Sequence, residues 1–219
     1  MIGQKAVVQT LQNAVKNNRV AQAYIFSGMR GVGKTTAARI LAKALNCQYG
    51  PTPPPCNQCE FCVAINDDRS IDVLEIDGAS NTSVNDVREI RDEVLFAPNA
   101  SRFKVYIIDE VHMLSNSAFN ALLKTIEEPP PYIVFIFATT EVHKVPATIR
   151  SRCQRVRFAP LPEELLTTFL EEKVGMASRP AGMLAALSGG PLARALGELG
   201  GEVRFLGKEG YPPLRISGR

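Results

Sequence analysis

With 219 residues, of which 45% are hydrophobic and 21% charged, the chain has the composition of a folded globule, one large domain or one domain with a small companion, and is too apolar to be disordered. A net charge of +3 neither demands nor excludes nucleic acid, and the longest apolar runs (105–108 and 133–138) fall far short of the ~20 residues of a spanning helix, so no membrane partner is expected. The N-terminus lacks the charged-then-apolar layout of a secretory leader, which points to the cytoplasm. Five cysteines in that compartment argue for a metal site plus a leftover thiol rather than a disulfide framework.

The first 158 residues alternate helical and strand patterns. Val7, Val8, Leu11 and Val15 recur at helical spacing and predict an amphipathic opening helix. Residues 23–27 (AYIFS) predict a strand running into a Gly-rich loop, and 35–45 a helix with Ile40, Leu41, Ala44 and Leu45 inward. A proline- and cysteine-rich excursion over 47–62 precedes a strand over 71–77 (IDVLEID). Ser83 is a good N-cap for a helix carrying Val84, Val87, Val94 and Leu95 on one side. Residues 104–110 (KVYIIDE) predict a strand with carboxylates at its C-terminal end. Ser115 caps a helix striped by Phe119, Leu122, Leu123 and Ile126 and stopped by Pro129, Pro130 and Pro131. Strands are expected over 132–140 and 155–158. The alternation predicts an α/β fold whose parallel sheet is covered by helices on both faces, with ligands bound beyond the carboxyl ends of the strands. From Pro160 the pattern becomes helical. A helix over 162–173, opened by proline at its first position, buries Leu165, Leu166, Phe169 and Leu170, and short helices follow over 180–188 and 191–199 around Gly189-Gly190.

Four constellations carry chemistry. Gly28-Met29-Arg30-Gly31-Val32-Gly33-Lys34-Thr35 matches the phosphate-loop pattern between a strand and a helix, and Thr36 continues it. Its glycines let backbone N–H groups wrap phosphates at a helix N-terminus, Lys34 reaches the β- and γ-phosphates, and the Thr35 hydroxyl coordinates Mg²⁺. Asp109-Glu110 closes an apolar strand, with Asp109 on the metal side and Glu110 as base for an attacking water; His112 reads as structural. Cys47, Cys56, Cys59 and Cys62 can close a tetrahedral S4 site suited to structural zinc, free core thiols being the alternative; the ferredoxin spacing would need cysteine where Asn66 stands. The stretch holding Arg150, Arg152, Arg155 and Arg157 reads as a basic surface, from which one arginine on a loop can stabilise a transferring phosphate in trans. Cys153 reads as a core thiol. Thr139 and Thr140 either orient water beside the γ-phosphate or simply end a strand.

Taken in order, GMRGVGKTTAARILAKALNC, the four-Cys insertion, IDGASNTSVNDVREIRDEV, KVYIIDEVHMLSNSAFNALLKTIEEPP, FIFATTEVHKVPATI and SRC resemble the gamma/tau family of the bacterial DNA polymerase III clamp loader, an AAA+ ATPase family, over about residues 2–158. The resemblance implies an AAA+ nucleotide-binding domain over 1–158 with a zinc module at 47–62, a small helical lid over 160–200, and a loose tail over 201–219. It implies ATP, Mg²⁺ and Zn²⁺ as cofactors, and as partners the other subunits of a hetero-oligomeric ring, the sliding clamp, and primer–template DNA through its phosphates. It makes Thr140 the first sensor and Arg152 the trans-acting finger. The second sensor would align nearer Ala193, so that Arg194, the nucleotide-side residue of the lid, stands one residue on, about 100° round a helix. That phrase is closer to the delta-prime subunit of the same loader. The expected function is therefore ATP-driven clamp loading, with a non-hydrolysing delta-prime-like scaffold as the alternative; a P-loop kinase or a plain zinc-dependent DNA-binding module ranks low.

Overall fold

The structure, a computed structural model, describes residues 2–80, 93–94, 96–191 and 195–196. It divides into two compact units, a larger one of Lys5–Ser27 and Lys34–Arg157, and a smaller one of the described residues within Met1–Gln4, Gly28–Gly33 and Phe158–Arg219.

In the larger unit α1 (Lys5–Lys16) buries Val7, Leu11 and Val15, with Val8 half-buried beside them. β1 (Ala23–Ser27) is followed in sequence by the glycine loop and α2 (Lys34–Asn46). The helix turns Ala37, Ala38, Leu41, Ala42, Ala44 and Leu45 inward, while Ile40, expected inside, is only half-buried: small alanines let the helix lie close to the sheet, and the larger side chain sits at the margin. The Asn46 side chain then exchanges two 2.9 Å hydrogen bonds with the Phe103 backbone, lashing the end of α2 to the entry of β3 (Lys104–Asp109).

β2 (Val73–Asp77) starts two residues later than expected. Ile71 is exposed, and Asp72 turns inward to accept N–H groups from the loop ahead of β3, which takes it out of the strand pattern. Ser115 caps α4 (Asn116–Glu127), accepting the Ala118 N–H at 3.2 Å. Phe119, Leu122 and Ile126 are buried there, Leu123 half-buried. β4 (Ile133–Thr139) is buried throughout. The short α5 (Ala147–Arg150) leads to β5 (Gln154–Arg157), one residue ahead of the expected span. The helix expected after Ser83 lies outside the described residues, Val94 excepted, which is buried.

Among the described residues the sheet runs β2-β3-β4-β1-β5, all parallel. Ile25, Tyr106, Ile108, Phe135 and Phe137 pack with α4 through Phe119 and Leu122. Their strand neighbours, which point the other way, are buried too, and α2 packs on β3 and β4. Register brings Asp77 opposite Asp109, and Ser27 opposite Thr139, at the carboxyl edge.

In the smaller unit Pro162 is the N-cap of α6 (Glu163–Phe169) rather than its first residue, and the helix passes into a π turn (Leu170–Val174) closed by Gly175 in the left-handed region. Leu166 and Leu170 are buried as expected; Leu165 is exposed and Phe169 half-buried, since each stands one residue, about 100° round the helix, from the Leu166–Leu170 stripe. α7 (Ser178–Ser188) holds Pro180 in its first turn, where no N–H is needed, and ends at Gly189 with φ +66°. Ala195 and Leu196 join the buried cluster of Leu161, Leu166, Leu170, Ala181 and Ala185; most of the helix expected over 191–199, Arg194 included, lies outside the described residues.

Candidate nucleotide site and metal centre

α2 begins at Lys34, and the start of a helix presents unpaired N–H groups and partial positive charge. Gly28, Gly31 and Gly33 have φ of +155°, +80° and +96°, positions at which a side chain would be strained. A Cβ on Gly28 would also lie 2.6 Å from the Phe158 carbonyl oxygen. Met29 and Arg30 are exposed, Val32 is buried and Thr36 is exposed.

At the carboxyl edge of the sheet the Thr35 hydroxyl donates to Asp109 Oδ2 at 2.6 Å, and Lys34 is buried beside it in sequence. Asp109 Oδ1 in turn accepts the Glu110 N–H at 2.8 Å. Glu110 is not the last residue of β3, as the sequence suggests, but the left-handed residue after it (φ +43°), which turns its side chain off the strand line. Close beneath, Gly78 donates its N–H to the Asp109 carbonyl at 2.8 Å, and a Cβ on Gly78 would lie 2.8 Å from the Glu110 carbonyl. Glycine is what lets the ends of β2 and β3 approach so closely.

Thr140 Oγ1 lies 3.4 Å from Glu110 Oε2, so the two sequence candidates do come together. Thr139 is fully buried and does more hydrogen bonding: its hydroxyl oxygen accepts the Glu141 N–H at 3.0 Å and lies 3.0 Å from His112 Nδ1. His112 Nδ1 is also 3.4 Å from Glu110 Oε2, and its Nε2 is 3.4 Å from Glu141 Oε1. The ring thus bridges the acid after β3 and the turn after β4. Its spacing from Asp109 placed it near the site, but nothing in the sequence showed which partners it would meet. Arg152 stands apart from these groups in the larger unit, half-exposed, pairing with Glu127 at 2.7 Å and donating to the Thr148 carbonyl at 2.8 Å. Cys153 is a core residue as expected, and burial pushes its thiol up to about 12.

The four expected metal ligands converge. Cys47 follows α2, Cys59 precedes α3 (Glu60–Asn66), Cys62 lies on α3, and Cys56 sits in the loop between; all four Sγ atoms lie within 4.8 Å of one another. Cys56 and Cys62 are 3.9 Å apart, and tetrahedral zinc with Zn–S bonds of 2.3 Å needs sulfurs roughly 3.8 Å apart, so the donor set fits zinc. Hydrogen bonds from the Gln58 and Cys59 N–H groups hold the Cys56 thiol down at about 6, ready for metal, while burial raises that of Cys62. Around this centre lie two cations the sequence reading missed. Lys43 donates to Asn57 Oδ1 and Asn66 Oδ1, both at 2.8 Å, and burial lowers its pKa. Arg102 donates to the carbonyls of Cys47 and Gln48.

A family model described as DNA polymerase III, delta subunit, matches residues 3–162. The tau subunit of DNA polymerase III from Bacillus subtilis (strain 168) is 55% identical over 166 residues, 76% of this chain. The chain belongs to the DNA polymerase III gamma/tau family. Another gamma/tau relative, the tau subunit of Escherichia coli (strain K12), is 47% identical over 201 residues, 90% of this chain. The chain spans 30% of the Bacillus relative and 31% of the Escherichia one. Its gamma/tau fold is the AAA+ fold: the RuvB Holliday junction branch migration motor of Thermotoga maritima superposes with a TM-score of 0.63 at 20% identity, over 89% of this chain and 60% of that one. No helix among the described residues is long and apolar enough to cross a membrane.

Proposed function

We propose that this chain is the ATP-binding and ATP-hydrolysing part of a replicative clamp-loader subunit, coupling ATP to loading of the sliding clamp on primed DNA. The observation that carries the reading is the 2.6 Å hydrogen bond from Thr35 to Asp109, with Glu110 next in line. A hydroxyl at the start of the phosphate-loop helix and a carboxylate at the end of a nearby strand, here β3, are the two protein ligands of a P-loop magnesium ion.

In this reading Gly28, Met29, Arg30, Gly31, Val32, Gly33, Lys34, Thr35 and Thr36 wrap the triphosphate, with Lys34 holding β- and γ-oxygens. Thr35 and Asp109 hold Mg²⁺, which neutralises phosphate charge when bound. Glu110 takes the proton of the attacking water, and Thr140 orients that water beside it. Arg152 exchanges Glu127 for the γ-phosphate of a neighbouring subunit, where such an arginine is worth ~10³–10⁵ in turnover. Arg194 reports nucleotide from the lid. The domains are then an AAA+ domain over 1–158, a lid over 160–200 and a tail over 201–219. The partners are the other subunits of a hetero-oligomeric ring, the clamp and primer–template DNA held through phosphates, all in the cytoplasm. Zinc at the four cysteines is structural.

The test is ATP hydrolysis by the chain with the other loader subunits, clamp and primed DNA, beside a titration with a fluorescent adenine nucleotide. Turnover that Lys34→Ala abolishes is expected; no nucleotide uptake by the folded chain overturns the reading. The second reading, a non-hydrolysing delta-prime-like scaffold, is favoured by the delta-subunit description of the matching family model. Nucleotide uptake without turnover, all partners present, decides for it.

A further inference from the structure

Lys43 is 8% exposed, and no carboxylate among the described residues pairs with it. Its ammonium is held by two neutral amide oxygens, Asn57 Oδ1 and Asn66 Oδ1, each at 2.8 Å. A buried ammonium satisfied only by dipoles costs several kcal/mol unless an anion stands near. The sequence around the three residues says where that anion is. Lys43 precedes Cys47 by four residues and accepts its N–H at 2.8 Å through the backbone carbonyl, Asn57 follows Cys56 directly, and Asn66 follows Cys62 by four on α3. Every member of the tripod is therefore tied to a cysteine of the cluster.

The cluster needs such a neighbour. Zinc with four thiolates carries a net double negative charge, and Cys47 places it just past the C-terminus of α2, the end at which a helix already presents partial negative charge and unpaired carbonyls. Arg102 meets part of that need by donating to the carbonyls of Cys47 and Gln48 at this same end. With Lys43 it supplies two positive charges, equal to the excess.

We infer that Lys43, fixed by Asn57 and Asn66, is the counter-charge of the four-cysteine metal centre: a positioning residue that sets how tightly this chain holds its zinc. The inference stands apart from any ATP-driven activity. It explains a lysine buried among amides, it assigns the two asparagines to orienting one ammonium, and it fastens the cysteine loop to α2 through a charge rather than through apolar contact.

The experiment uses the full chain, with zinc affinity measured by competition against a chelator. Outer-shell partners of metal ligands are worth ~10–100-fold in affinity, so Lys43→Met should weaken zinc by that factor, while Lys43→Arg should return it to within about 3-fold of wild type. Lys16→Met, on the exposed face of α1, should change nothing. Thermal unfolding with and without zinc separates charge from packing. The metal-free Lys43→Met chain should be as stable as metal-free wild type or more so, having lost an unpaired buried charge, and less stable than wild type once zinc is bound. Zinc affinity of Lys43→Met within about 3-fold of wild type overturns the inference. So does equal destabilisation with and without metal, or a metal-free variant that fails to fold where wild type folds, since Lys43 would then serve the fold alone.

Discussion

Asp72 sits at 2% exposure just ahead of β2, and its oxygens accept the N–H groups of Asn99, Ala100 and Ser101 at 2.7, 2.9 and 2.8 Å. One carboxylate thus organises the loop that feeds β3, the strand whose end presents Asp109. Hydrogen bonds to a charged group contribute about 1.5–3 kcal/mol each and are not additive within one group, and each N–H left buried without a partner costs about 1–3 kcal/mol. Asp72→Ala should therefore destabilise the larger unit by about 3–5 kcal/mol, or roughly 6–20 °C in thermal midpoint for a chain of this size. Asp72→Asn, which turns an amide N–H₂ toward the same donors, should cost nearly as much. Burial opposes the charge on Asp72, but the N–H groups of Ala100, Asn99 and Ser101 outweigh it and hold its pKa below the usual value. A carboxyl depressed in the folded state stabilises above its unfolded pKa, about 3.9, and that stability fades as pH falls through the folded value. The gap between wild type and Asp72→Asn should accordingly be widest near neutrality and shrink as the pH drops below about 4. Urea unfolding at a series of pH values, followed by circular dichroism, measures both. A loss under about 1 kcal/mol at pH 7, or a gap that does not narrow in acid, would refute the account of this loop.

Gly78→Ala should lower stability by about 1–3 kcal/mol, read by the same unfolding assay, because its Cβ would meet the backbone carbonyls of Glu110 and Asp109 at 2.8 and 2.9 Å. His112→Ala should leave nucleotide affinity near wild type and lower turnover ~10-fold or more, since the ring touches Glu110 and Thr139 rather than the phosphate loop; equal loss of affinity and turnover would argue for collapse of the site. Arg152→Ala should leave nucleotide uptake by its own chain intact and reduce hydrolysis only in the assembled ring, an asymmetry visible when variant and wild-type subunits are mixed. Cys153, buried with its thiol pushed up to about 12, should resist alkylation at pH 8 in the folded chain and react at once in denaturant.

The parts of the molecule legible in the sequence are those in which one residue type at one spacing has a single use. The glycine loop between β1 and α2, the convergence of four cysteines and the apolar strands β1, β3 and β4 stand where the pattern put them, because glycine at positive φ, clustered thiols and continuous apolar burial each leave a distinct trace. What escaped were polar residues that act only through tertiary partners. Asp72 fell inside an expected strand, and Lys43 and Asn46 carried no expectation at all; each declares its role only once the Asn99–Ser101 turn, the cysteine loop or Phe103 is brought against it. Glu110 shows the same limit at the level of a single dihedral: its chemistry was readable, but the left-handed turn that aims it was not, since glutamate carries no preference for that region. The residues alone left Thr139 and Thr140 undistinguished and only the resemblance favoured Thr140; burial separates them, Thr139 being wholly enclosed and Thr140 exposed.

The outer strand β5 is short, and of its four residues Gln154, Arg155 and Arg157 face solvent. Two copies brought together along this border would set guanidinium against guanidinium over a stretch too brief to align a ladder. Such a rim guards this border against sticky, amyloid-like stacking of newly made chains, and it steers contacts there toward helices and loops rather than strand pairing.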